Sequence, residues 1–273
     1  MPRSDQLLLA ALRAPITAWR QRNASLMGQA GNVPLCRDMV TFLTFVRNNP
    51  IIGTSSTGNM PLKAVRMLAP LLSSPPRLEI KIGGHTYHHR SEQDVWPLYF
   101  LHVLAEVGNL IHTGRSRRWK LTAQGEQFLG TDPDIQLVFA LAVWWHRVNW
   151  LLAYPFEGMG KDLPYGFSDV ALAQLRCLPT GVEKSFNEFA DHLIHTTDLT
   201  WEAPESPISA DLLRGSIERM IVDVLAKCEA MICRYKTKIS FDIETKVLTT
   251  ITLALMGRAL LEAVALVGDQ DFS

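Results

Sequence analysis

Leu101–Ile111 reads LHVLAEVGNLI and Val222–Ile232 reads VDVLAKCEAMI, and the two align without a gap. They share Val103 with Val224, Leu104 with Leu225, Ala105 with Ala226 and Ile111 with Ile232. In each, apolar residues at helical spacing run into a short apolar pair, Leu110-Ile111 or Met231-Ile232, the expected start of a strand. A second matching pair follows. Trp119–Leu129 (WKLTAQGEQFL) lies over Ile251–Leu261 (ITLALMGRALL), with Gly125 on Gly257 and Leu129 on Leu261. Between the blocks stand seven residues, His112–Arg118, in one copy and eighteen, Cys233–Thr250, in the other. A loop accommodates such a difference at small entropic cost. Self-similarity of this kind marks an internal repeat.

The upstream segments follow the same order. In the first copy Asp38–Val46 is apolar at helical spacing, and Ile51–Thr54 reads as a short strand. Asn59 and Pro61 open a helix through Leu72, and Pro75-Pro76 stops it. Arg77–Arg90 alternates around Gly83-Gly84 as a hairpin does. Asp94 is the expected cap of a helix through Val107, with Pro97 in its first turn. In the second copy Asp169–Leu178 is the first helix. Ser185 and Glu188 form a capping box for the second, and Ser209–Ala230 is the third. Leu101, Leu104, Ile111, Leu121 and Phe128 are the expected core of the first copy. Val222, Leu225, Ile232, Leu253 and Leu260 are their counterparts.

Two helices, a third, a β-hairpin and a glycine-bearing helix resemble the winged helix-turn-helix superfamily. Its members place the third helix in the DNA major groove and the wing on the adjacent backbone or minor groove. The resemblance covers roughly residues 39–131 and 167–268 and rests on element order. Thr57–Arg66 (TGNMPLKAVR) also resembles a segment of uncharacterised bacterial proteins of this type. The expected fold is mainly α with small β-hairpins, two tandem winged-helix-like units joined by a helical connector. The expected division is 1–38 as an N-terminal helical arm, 39–131 as the first unit, 132–166 as connecting helix and loop, and 167–273 as the second unit.

Composition sets bounds on function. With 273 residues and 47% hydrophobic side chains, the chain can fill one large core or two ordinary ones. Ile135–Phe156 is apolar, but its uninterrupted run, Leu137–Trp145, is nine residues long. Roughly 20 are needed to span a bilayer, so no membrane association is expected. Cys36, Cys177, Cys228 and Cys233 form no CxxC pair and no zinc-ligand spacing, which reads as reduced thiols in a cytoplasmic protein. Residues 1–12 lack a signal-peptide pattern. Residues 1–120 hold 15 Lys/Arg against 6 Asp/Glu, a balance of +9, and residues 121–273 hold 12 against 21, a balance of −9. Such polarity points to interaction.

Arg115, Arg117, Arg118 and Lys120 surround Trp119 at and just after the first wing tip, where cations reach phosphates or a narrow minor groove. Lys63 and Arg66 on the second helix, and Arg20 and Arg22 in the arm, extend the same candidate DNA-binding set. The third helix itself carries Tyr99, His102 and Glu106 but no Lys or Arg, which argues against base readout. His85, His88 and His89, with spacings of three and one, and His192 with His195 lack nearby ligand partners, and no metal is expected. Gly158-Met159-Gly160 lacks the remainder of a nucleotide fingerprint, and no nucleophile elbow occurs, so neither cofactor nor catalytic residue is assigned. The sequence reads as a non-enzymatic, DNA-associated regulatory or accessory protein, whose acidic half self-associates or binds a protein. The alternative is an adaptor using both units for protein contact.

Overall fold

The structure, a computed structural model, describes residues 8–82, 85–113, 116–153, 163–201, 208–240 and 243–268. It is mainly helical with small antiparallel sheets, and the chain divides into two compact units, Met1–Val148 and Asn149–Asp269.

In the first unit, α1 (Leu8–Arg22), α2 (Ala24–Met27) and a 3-10 turn lead to α3 (Pro34–Asn48). Proline at its first turn starts α3, and Leu35, Met39, Phe42, Leu43 and Val46 form its buried stripe. Ile52 bridges Arg118, and α4 (Leu62–Leu68) follows. The two strands of the expected hairpin pair, β1 (Glu79–Ile82) with β2 (His85–His88) and Ile82 opposite His85, while Gly83 and Gly84 lie outside the described residues. Next come α5 (Trp96–Val107), β3 (Ile111–His112), β4 (Lys120–Leu121), α6 (Ala123–Leu129) and α7 (Pro133–His146). Asp94 does not cap α5, because Val95 holds that position without a side-chain bond. The Asp94 carboxylate instead accepts from the Arg90 and Ser91 backbone N–H groups, closing the turn before the helix.

The segment expected to connect the units, residues 132–166, opens with α7, which is buried on every side from Asp134 to Trp145 and packs against α1, α3 and α5. A helix apolar all round belongs inside a core. Trp144 meets Phe100 with ring centroids 5.0 Å apart, and Phe139 meets Phe128 at 5.6 Å. Among the described residues no helix is long and apolar enough to cross a membrane.

The second unit contains α8 (Trp150–Ala153), α9 (Phe167–Cys177), β5 (Glu183–Ser185) and α10 (Phe186–Thr197), then α11 (Ser209–Ile217) and α12 (Asp223–Lys227). Ser185 Oγ accepts from Glu188 N at 3.3 Å, as the capping box requires. The long third helix is interrupted by a five-residue π turn, Glu218–Val222. Cys233–Thr250, expected as a loop, lies in a long hairpin of β6 (Met231–Ser240) and β7 (Ile243–Leu253), and α13 (Leu255–Gly268) follows. The sheet order is β5-β7-β6.

Both units repeat one local geometry. Asn109 and Glu229 take left-handed φ values of 51° and 53° after α5 and α12. Leu110 N then donates to Ala105 O, and Ala230 N to Leu225 O, the six-residue bond of a Schellman motif. Thr122 N and Ala254 N return to Leu110 O and Ala230 O. A Cβ on Gly125 or on Gly257 would lie 2.1 Å from that same carbonyl oxygen. Only glycine lets the last helix start this close to the strand. The pairing of Gly125 with Gly257 therefore holds, but the first matched block is one residue out of step. Hydrogen bonding pairs Leu104 with Val224 and Ile111 with Met231. Ile232, expected in the core, is 57% exposed, and Met231 is buried in its stead. A one-residue slip turns every strand side chain to the other face. Leu101, Leu104, Ile111 and Phe128 are buried as expected, as are Val222, Leu225, Leu253 and Leu260, whereas Leu121, also expected in the core, is only half-buried.

Candidate nucleic-acid interface

The first hairpin is pinned at its base by Trp119. Its indole is buried, 6.2 Å from the Phe42 ring and 4.3 Å from the His102 ring, and its Nε1 donates to Gly58 O at 3.1 Å. Trp119 N donates to Ile51 O, and Gly53 N to Arg117 O at 2.7 Å, so the segment after α3 forms a third edge to the hairpin. Strand alternation then puts Arg118 and Lys120 outward on either side of the buried tryptophan, both exposed. Arg117 is exposed with a left-handed φ of 55°. Arg115 lies outside the described residues.

Beside Arg118 and Lys120 runs a cleft of about 400 Å³, closed by Arg47, Asn48, Asn49 and Pro50 at the end of α3 and by Glu126. Arg47 sits 3.6 Å from Glu126, both about half exposed, so solvent screens the pair. The end of α3 and its C-cap place Arg47, Asn48 and Asn49 beside the hairpin cations, which sequence reading had not singled out. Arg47 belongs to the same basic half but carries no motif.

The other nominated cations divide. Lys63 and Arg66 are exposed on α4, three residues apart and so on one face, and Arg22 is exposed at the end of α1. Arg20 is committed elsewhere. Its Nε lies 2.5 Å from Asp134 and its Nη2 2.8 Å from Asp132, and these bonds hold the guanidinium pKa above its usual value against burial. They tie α1 to the start of α7.

The third helix, α5, offers little surface. Leu98, Phe100, Leu101, His102, Leu104 and Ala105 are buried, and Glu106 and Val107 are its exposed residues. His102 faces inward, with Nδ1 3.0 Å from Glu92 Oε2, while the same Glu92 oxygen accepts from Met60 N at 2.7 Å. Both side chains are almost fully buried, and Glu106 lies 3.6 Å from His102 Nε2 at the helix surface. This polar core joins α5, the segment before α4 and, through Trp119, the hairpin. Sequence reading placed His102 on the helix but not Glu92, ten residues earlier, because a loop brings them together.

Residues 1–148 carry 16 Lys/Arg against 9 Asp/Glu, a balance of +7, and residues 149–269 carry 11 against 17, a balance of −6. Within the second unit Arg234, Lys236, Lys238 and Lys246 are exposed on the long hairpin. Arg234 meets Glu183 at 2.9 Å. Arg214, on the third helix, is bound by Asp191 at 2.7 Å and by Asp211 at 3.0 Å. His88 pairs with Glu79 and His89 with the Arg77 carbonyl, and no metal-holding group of three His, Cys, Asp or Glu occurs among the described residues. No family model, no curated protein and no solved structure matches the chain.

Proposed function

We propose that the protein is a non-enzymatic, DNA-associated regulatory or accessory factor of the cytoplasm, built from two tandem winged-helix units, and that the first unit binds duplex DNA mainly through the phosphate backbone. The observation that carries this reading is the pairing of outward Arg117, Arg118 and Lys120 with an inward Trp119 that fixes the hairpin base. Arg47 and Asn48 add donors along the adjoining cleft, and Lys63 and Arg66 extend the positive surface. Backbone binding follows because α5 exposes no cation and is largely buried. Contacts to phosphates position a protein without reading sequence.

A variant in which Arg117, Arg118 and Lys120 are all alanine tests this by fluorescence anisotropy on two unrelated duplexes. Affinity should fall alike for both, and the slope of log K against log salt should shrink by about 0.9 for each phosphate the variant no longer neutralises. Affinity equal to wild type on both duplexes would remove the wing from the interface. Replacing Arg234, Lys236 and Lys238 should matter less, because Glu183 and the acidic second unit oppose that hairpin.

An adaptor reading draws on a different observation. The outer face of the second sheet exposes Ile232 and Val247, and Leu255 is 64% exposed just beyond it. Under that reading the acidic unit would dock a protein or a second copy, and the basic half would meet an acidic partner.

A further inference from the structure

The third helix of the second unit changes register midway. α11 ends at Ile217, the π turn covers Glu218–Val222, and α12 resumes at Asp223. A π turn closes bonds five residues apart, so Glu218 and Asp223 stand one above the other on the same side of the helix. At 3.6 residues per turn, an α register would carry them well apart around the axis. Both are half-buried. The inner side of β6 faces them with Cys233 and Tyr235, which touch each other, and α12 packs on that strand. The charged neighbours within the helix are Arg219 and Lys227.

Burial, and then the Asp223 charge, push the Glu218 carboxyl up to about 7 against the pull of Arg219. Burial raises Asp223 against Lys227 and Arg219. Cys233 is pushed up to about 11 by burial and then by Asp223, and burial with these same neighbours raises Tyr235. Glu218 and Asp223 on the helix meet Cys233 and Tyr235 on the facing strand, and the Asp223 charge opposes ionisation of the other three.

We propose that the π turn Glu218–Val222 is a proton-operated joint, held in π register while Glu218 and Asp223 carry a proton between them and released toward α register when both ionise. Release relieves two partly buried like charges by rotating them apart. It also shifts the phase of α12 against β6, the strand that forms half of the long hairpin. The sign follows from linkage. A carboxyl raised in the folded state stabilises the joint fully below its unfolded value and loses that contribution as pH rises through about 7. This joint does not depend on the DNA reading, since it uses none of the wing cations of the first unit.

The test is carboxyl and amide NMR on the full chain with 13C-labelled Glu and Asp, from pH 5 to 9. The Glu218 carboxyl should titrate near neutrality, and the amides of Met220, Ile221 and Val222 should move with the same midpoint. Glu218→Gln should hold those amides at their low-pH positions throughout. Should that variant fail to fold, Asp223→Asn serves, lowering the Glu218 midpoint and abolishing the amide change. Titration of Glu218 in the ordinary carboxylate range would overturn the joint. So would motionless amides, or an unaltered pH response in the variants.

Discussion

In the first unit the third helix turns His102 inward onto Glu92; at the hydrogen-bonded equivalent in the second unit stands Val222, an apolar residue that is fully buried. The surroundings of these two positions share the Schellman turn, the returning backbone bond and the glycine against it. Core chemistry thus varies while the backbone plan stays. A buried carboxylate–imidazole pair is costly to desolvate and more costly to break, so it contributes position more than net stability. It fixes the segment before α4 and the Trp119 ring, and through them the basic hairpin. The second unit has a buried valine at that point and a hairpin with strands of ten and eleven residues tied directly into its sheet.

That contrast can be broken first at His102. Changing His102→Val gives the first unit the second unit's residue but leaves Glu92 buried beside an apolar group. The expected loss is about 3–5 kcal/mol by denaturant titration. Adding Glu92→Leu to the same chain should recover most of it, since two apolar groups replace the pair. A single substitution costing no more than an average surface change would show the pair to be solvated.

The shared register is the next target. Met231→Ala should cost about 2–5 kcal/mol, as buried large-to-small changes do. Ile232→Ala, one residue along and exposed, should stay within about 0.5 kcal/mol. A reversal of the two would restore the gapless alignment of the two stretches. At the glycines, Gly125→Ala and Gly257→Ala should each cost about 1–3 kcal/mol, because the methyl must displace a backbone carbonyl. Unequal losses would show that the two contacts are not equivalent.

Much of this organisation was legible in the chain. Helices and hairpins follow from apolar spacing, paired glycines and the Ser185 cap. The alternation of Arg118, Trp119 and Lys120 gave the first hairpin its inward and outward faces. The register slip has a physical cause. Asn109 signals a left-handed residue, since asparagine enters that region readily, whereas Glu229 adopts it with no such sequence mark. Matching by identity therefore settled one residue out of step. The long second hairpin left a trace in the period-two run from Arg234 to Ile239, which the charged residues obscured. Glu92 and Asp134 were silent because burial of a carboxylate depends on partners, His102 and Arg20, that only folding supplies.

The proposal that the first unit binds duplex DNA through its backbone meets its most direct test in a salt titration. The full-length wild-type chain is mixed with a labelled duplex of arbitrary sequence, and affinity is followed by anisotropy from low to physiological salt. The account predicts binding at low salt that falls linearly in log K against log salt and is nearly the same for a second, unrelated duplex. No binding at low salt, or affinity indifferent to salt, would contradict it and leave the basic hairpin to a protein partner.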